Sequence, residues 1–194
     1  MDDLANLTSQ IEQLSTDSQA RLLEYIAFLR WQDNQVKTAT PVAWSFSFIE
    51  GFREADVYAS RDAAGMDVKM ALAVVNGESR PALWAHPPVA GRAVIEYHVP
   101  IPQQVHNIQL RLAIGIRDGA KIAENNLVAF SVHINDMRVW GQQSNRKAWQ
   151  DVVTPLDLVT GDIIRIKFST EALGSHEWTW AVWGSPELVG ELIK

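Results

Sequence analysis

The sequence predicts a mostly-β protein: an antiparallel two-sheet β-sandwich preceded by a helical hairpin that forms an N-terminal arm. Three observations carry this expectation. Before about residue 38 the apolar residues recur at helical spacing, and after Trp44 they recur at every second position. No helix-length insert separates the later runs, which argues against a parallel α/β sheet. The length of 194 residues suits one domain of roughly 150 residues with an appendage.

The arm comes first. Leu4, Leu7, Ile11 and Leu14 follow 3-4-3 spacing and predict a short helix over about 3–14. Thr16 with Gln19 has the form of a capping box, which starts a longer helix over about 17–34. In that helix Leu22, Tyr25, Ile26 and Leu29 cover one face, while Phe28 and Trp31 point elsewhere. A helix that is apolar nearly all round is covered on more than one side. Either this arm (residues 1–37) folds back on its own domain, or it docks on a second copy or another protein; oligomerisation through these six residues is the expectation we carry forward. Its net charge of −3 argues against an anionic membrane surface. A polar, aperiodic linker follows at 38–43, and the sandwich is expected over 44–194.

Within the sandwich, four runs alternate clearly: Val68/Met70/Leu72/Val74, Ile108/Leu110/Leu112/Ile114/Ile116, Val128/Phe130/Val132/Ile134 and Ile164/Ile166/Phe168. Turn signals punctuate them at Asn76-Gly77, Pro87-Pro88, Asp118-Gly119, Asn135-Asp136, Thr160-Gly161-Asp162 and Leu173-Gly174-Ser175. Seven or more such strands with polar outer sides predict two stacked sheets with interdigitated inner faces.

Composition narrows the function. The chain has no cysteine, so disulfides, thiolate nucleophiles and zinc-thiolate sites are excluded. Its formal charge of −6 would repel a phosphate backbone, and no nucleic-acid partner is expected. The first residues are acidic and no apolar run follows them, so the expected compartment is the cytoplasm and no membrane partner is expected. The five histidines are scattered, with none at the i, i+4 spacing of a helical metal pair. His98, His133 and Glu96 fall on outward sides by alternation, and His86 reads as a hydrogen-bonded pin in an irregular segment. Glu96, Asp157 and Glu177 are not spaced as a carboxylate pair, and there is no Gly-x-Ser-x-Gly elbow. No catalytic residue and no metal ligand is expected; the protein reads as a non-enzyme.

Eight tryptophans are the remaining signal. Trp140 and Trp149 flank a polar loop containing Asn145 and Arg146, and alternation puts Trp178 and Trp180 on one side of the last strand. Such rings either fill the core or stand outward as sugar platforms, taking the C–H face of a sugar while amides and an arginine bond its hydroxyls. Trp140, Trp149, Asn145, Arg146, Trp178 and Trp180 are therefore the candidate ligand-binding residues. Arg111, Arg165, Lys167 and His133 also fall outward; they form either a solvated face or one suited to an anionic or sialylated ligand.

The succession Trp84-Ala85-His86-Pro87-Pro88, Val99-Pro100-Ile101-Pro102, Leu112-Ala113-Ile114-Gly115-Ile116, Phe130-Ser131-Val132-His133-Ile134-Asn135, Trp149, Leu156-Asp157-Leu158 and Trp180-Ala181-Val182-Trp183-Gly184-Ser185-Pro186 resembles the galactose-binding-like jelly rolls. Within these it is most similar to the novel type of carbohydrate-binding module appended to glycosidases, over about residues 44–190. The resemblance implies a jelly-roll sandwich, a non-catalytic binding role and, in many members, a structural calcium. Here Thr179 stands before Trp180-Ala181 where such modules often carry an aspartate, which argues against the calcium, and no cofactor is expected. The segment from Ile11 to Leu29 is similar to short helices of small prokaryotic antitoxin-like proteins. Together these readings predict a bacterial binding or scaffold protein, a glycan as ligand, and a homo-oligomer or protein partner through the arm. The alternative is a structural or protein–protein interaction subunit of a larger assembly that binds no sugar.

Overall fold

The structure, a computed structural model, describes residues 43–158 and 160–192, together with Leu14, Ser15, Ser18 and Gln19. The expected arm with Leu22, Tyr25, Ile26, Phe28, Leu29 and Trp31 lies outside the described residues, as do linker residues 38–42. At the turn between the two expected helices, Ser15 Oγ accepts the Ser18 amide at 3.3 Å and Gln19 Nε2 donates to the Leu14 carbonyl at 3.2 Å. Ser15 thus supplies a hydroxyl contact there, one position ahead of the expected cap Thr16, which is outside the described residues.

From Ala43 onward the described residues form eleven strands and a single 3-10 turn at Glu50–Glu54. The strands are β1 (Ala43–Ser47), β2 (Asp56–Ala59), β3 (Val68–Val75), β4 (Glu78–Ala85), β5 (Arg92–Pro100), β6 (Val105–Ile116), β7 (Val128–Ile134), β8 (Met137–Ser144), β9 (Gln150–Pro155), β10 (Ile163–Ala172) and β11 (Ala181–Leu192). Ala43, the last residue of the expected linker, already belongs to β1. One sheet has the order β3-β4-β11-β6-β9, with β1 also pairing to β11; the other has the order β2-β5-β10-β7-β8. Every pairing is antiparallel. On one flank of β11, β4 pairs with 182–184 and β1 with 187–191. The switch falls at Ser185-Pro186, where Ser185 adopts φ +42° and the register against β6 shifts. A bulge of this kind re-aims a strand between partners. Among the described residues no helix is long and apolar enough to cross a membrane.

The alternating runs of β6, β7 and β10 place Ile108, Leu110, Ile114, Phe130, Val132, Ile166 and Phe168 in one buried core between the sheets. Trp183 of β11 is fully buried at its centre and meets Phe130, Phe168 and Trp140 edge to face, at 5.2, 5.3 and 6.1 Å between centroids. Such pairs add about 0.5–1.5 kcal/mol each beyond the area they bury. A hydroxyl also ties the layers: buried Thr170 of β10 donates to the Ala85 carbonyl of β4 at 2.5 Å.

The run on β3 behaves differently. Met70 pairs with core residue Leu83, so Met70, Leu72 and Val74 take the inner side of their strand, yet Leu72 stays 67% exposed. β3 is the edge strand of its sheet and has a paired neighbour on one side only. The β3–β4 turn is Asn76-Gly77, with φ +54° and +77°, the left-handed pair that a two-residue hairpin requires. Asp118 receives both turn amides on its carboxylate, at 2.8 and 2.9 Å, and thereby ties the β6–β7 loop to this hairpin.

Candidate functional site

At one end of the sandwich the loop leaving β10 meets the loop leaving β6. Asn126 Nδ2 donates to the Ser175 carbonyl at 2.7 Å. A Cβ on Gly174 would stand 2.8 Å from Asn126 Oδ1, so glycine at 174 permits this approach. Beyond it, Thr179 Oγ1 donates to the His176 carbonyl at 2.5 Å and closes a turn whose outermost ring is Trp178. Thr179, the neutral replacement noted in the sequence, spends its hydroxyl on this turn. Trp178 lies at φ +62°, a left-handed conformation that an L-residue with a large ring adopts only under constraint. Strand alternation therefore does not reach residue 178.

The consequence is an exposed indole on a fixed base. Trp178 is 39% exposed and leans on Trp180, with 5.2 Å between centroids and 43° between planes. Trp180 stacks on His86 at 6.2 Å, His86 stacks on Trp84 at 5.9 Å, and the Arg117 guanidinium lies 3.3 Å from the centre of the Trp84 ring. Burial lowers the His86 pKa to about 4, with Arg117 and Lys69 acting in the same direction against an opposing Asp67, so the stacked ring is neutral near pH 7. His86 is not the expected hydrogen-bonded pin: its buried Nε2 has no hydrogen-bond partner among the described residues, and the ring is stacked between Trp84 and Trp180 instead. In front of Trp178, a hollow of about 370 Å³ is lined by Lys121, Asn125, Asn126, Ser175 and Glu177. Lys121 Nζ sits 5.4 Å from the Trp178 ring centre. The half-exposed ring, with the Lys121 ammonium over it and amides and a carboxylate around the hollow, joins an apolar surface to hydrogen-bonding groups.

Of the six candidate ligand residues, the structure brings Trp178 and Trp180 together at this hollow and turns Trp140 and Trp149 elsewhere, while Asn145 bonds the loop next to Asn125. Trp140 pairs with core residue Val132 and turns inward against Trp183. Trp149 lies flat on the outer face of the six-stranded sheet, packed on Val75 and Val182 and on the backbone at Gly115 and Gly184. Its Nε1 donates to the Glu78 carbonyl at 3.1 Å and the Arg80 guanidinium covers it at 5.2 Å. Asn145 Nδ2 is spent on the Glu124 carbonyl at 2.6 Å, and the Arg146 carbonyl accepts the Ile116 amide. The sequence reading missed Lys121, Asn126, Arg117 and Trp84; the adjacent pair Asn125-Asn126 between two strands was the available signal for the loop.

The expected basic face is also divided. Arg111 lies on β6, in the other sheet from Arg165, Lys167 and His133. Glu96 faces outward as its alternation says, but it is only 8% exposed. Tyr58 donates to it at 2.7 Å, and Lys167 and Arg165 each come within 3.6 Å. Its negative charge is therefore already balanced by protein groups. Among the described residues no group of three or more His, Asp and Glu is placed to hold a metal ion.

No protein-family profile matches this chain, and no curated protein matches it in sequence. Solved structures do match in fold. The tandem CBM51 modules of a family 98 glycoside hydrolase from Streptococcus pneumoniae align with a TM-score of 0.55 at 12% identity, over 78% of this chain and 49% of that one. A CBM51 module from Clostridium perfringens GH95, in complex with methyl-galactose, aligns at 0.50 and 16% identity, over 75% of this chain and 99% of that one. The CBM51-2 and INT domains of C. perfringens ZmpB, in complex with GlcNAc, align at 0.51 and 13%, over 77% and 32%. The chain thus spans about half of the first of these and almost all of the single module. At this identity the likeness is one of fold: the described residues form a β-sandwich of the kind seen in carbohydrate-binding modules.

Proposed function

We propose that this protein binds a glycan without transforming it, and that the ligand rests on Trp178 at the loop end of the sandwich. One observation carries the reading: an indole held outward in a left-handed backbone conformation, over a polar hollow, with Trp180 and His86 stacked behind it. Ring–sugar stacking needs a rigid and accessible ring; Trp180 buttresses the 39% exposed Trp178, and the long Lys121 side chain over it would swing aside to bond a sugar hydroxyl. The shared fold adds support, and the sugars in the two related complexes supply the probes. In fluorescence and calorimetric titrations of the full chain with galactose and GlcNAc, one sugar is expected to bind and perturb tryptophan emission. Trp178→Ala is expected to weaken that binding at least about tenfold, the effect of losing one stacking platform. Undiminished binding in this variant would move the site elsewhere, and silence toward both sugars would remove the reading.

The N-terminal arm enters the proposal as a self-association device. Two weak sandwiches joined through Phe28 and Trp31 would gain avidity of about 10²–10⁴-fold on a repetitive glycan. Light scattering on the full chain is expected to give an oligomer, and Phe28→Asp with Trp31→Asp is expected to reduce it to a monomer. A monomeric wild type leaves the arm without this role.

A further inference from the structure

The outer face of the five-stranded sheet holds a second concavity, independent of the loop end. A trough of about 440 Å³ lies across β8, β7, β10 and the start of β5, and a smaller one of about 220 Å³ continues it toward Tyr58. The two share Arg92, His133 and Ser169. The larger volume falls within the roughly 300–1,000 Å³ of small-molecule pockets. Strand register builds its floor: Arg138 is opposite His133, Gly141 is opposite Ser131, and Ser131 faces Ser169 with their hydroxyls 2.7 Å apart. Arg138 folds back over Gly141, its Cδ 3.5 Å from where a Cβ would stand, so its side chain runs along the trough toward the serine pair. Gln143, opposite Ala129, stands exposed at the rim, whereas Gln142 is opposite core residue Phe130 and donates to Gln150 at 2.8 Å.

The charges of this trough do not cancel. Arg92 binds Glu171 at 2.8 Å, and Asp136 is held by both Lys167 and Arg165. Among the described residues Arg138 has no carboxylate partner. His133 sits between three cations, Arg92 from β5, Arg138 from β8 and Lys167 from β10, opposed only by Asp136. Burial and then these cations hold its pKa below the usual histidine value. One unmatched guanidinium suits a monoanion. Its planar fork matches a carboxylate with two parallel hydrogen bonds, where a dianion would remain half unbalanced. The two serine hydroxyls and the Gln143 amide around it are groups that bond sugar hydroxyls.

We propose that this trough binds the carboxylate of an acidic saccharide, a uronic acid, with Arg138 as the pairing group. The ligand site on Trp178 does not enter the argument, and either can exist without the other. The test is a titration of the full chain with glucuronate, glucose and inorganic sulfate, followed by amide shifts in NMR and by calorimetry. Glucuronate is expected to shift amides of β7, β8 and β10 and to bind at least fivefold more tightly than glucose. Arg138→Gln is expected to cost roughly tenfold in glucuronate affinity, as the loss of a half-exposed charge-assisted pair should, while leaving the thermal midpoint and any galactose binding unchanged. Trp178→Ala should leave glucuronate binding intact. Equal affinity for glucuronate and glucose would overturn the proposal, as would an Arg138→Gln variant that binds like wild type. Sulfate binding as tightly as glucuronate would reduce the trough to a bare anion site and overturn the saccharide assignment.

Discussion

The outer faces of the two sheets differ in what covers them. On the six-stranded sheet, Ala73, Val75, Ala82 and Val182 are fully buried, although they point away from the main core. They are small, and Trp84 and Trp149 lie over them as lids. Glycine lets the second lid close down: a Cβ on Gly184 would stand 2.8 Å from the Trp149 ring. On the five-stranded sheet the corresponding positions are Arg92, Ser131, His133, Lys167 and Ser169, and a trough remains open above them. The first face spends its aromatic rings on stability, whereas the second keeps polar groups accessible. A tryptophan count therefore says little about binding until each ring is assigned to a lid, the core or a loop.

The most forceful way to break this comparison is to remove a lid. Trp149→Ala would uncover the cluster at Val75 and Val182 and remove the hydrogen bond to the Glu78 carbonyl; it is expected to cost about 3–4 kcal/mol in urea unfolding. Sugar titrations of the same variant should match wild type, because Trp149 lies outside the loop-end hollow. On the other face, Arg138→Gln should stay within about 0.5 kcal/mol of wild type, as surface substitutions away from packed features do. If Trp149→Ala were as mild, the lid would be ornament and the indole would be free for a ligand.

Much of the sandwich was legible because one-sided burial writes itself as alternation. β6, β7 and β10 each keep large apolar residues on the core side, and their registers follow. β3 wrote the same pattern without the burial, since an edge strand is not distinguishable from a central one by its own residues. The candidate site was half legible. Trp178 and Trp180 meet as neighbours in sequence, but Trp178 does so through a positive φ that alternation cannot anticipate. The polar loop that Trp140 and Trp149 flank says nothing of which way their rings turn: Trp140 shares the core side with Val132, and Trp149 closes on the outer face where Gly115 and Gly184 leave room. Glu96 shows the converse, an outward carboxylate that its neighbours on β2 and β10 bury.

Acid separates the two faces more finely, because each carries one histidine below its ordinary pKa. His86 stacks against the lid Trp84 and titrates near 4 when folded, against an ordinary value of 6.5. Between those values the unfolded chain takes up the proton and the folded one does not, so stability rises with pH through this window. The contribution is fully present above pH 6.5 and is lost as pH falls toward 4, for a total of about 3 kcal/mol. His133 is shifted in the same direction, but it lines an open trough where solvent screens its neighbours, and its share of the acid slope should be small. His86→Phe retains a ring between Trp84 and Trp180 and removes the proton site. Urea unfolding followed from pH 7 to pH 4 is expected to show a flattened acid limb in His86→Phe and a nearly unchanged one in His133→Asn. The reverse result, with His133→Asn flattening the limb, would mean that the open face is the tightly packed one, and the distinction between lid and trough would fail.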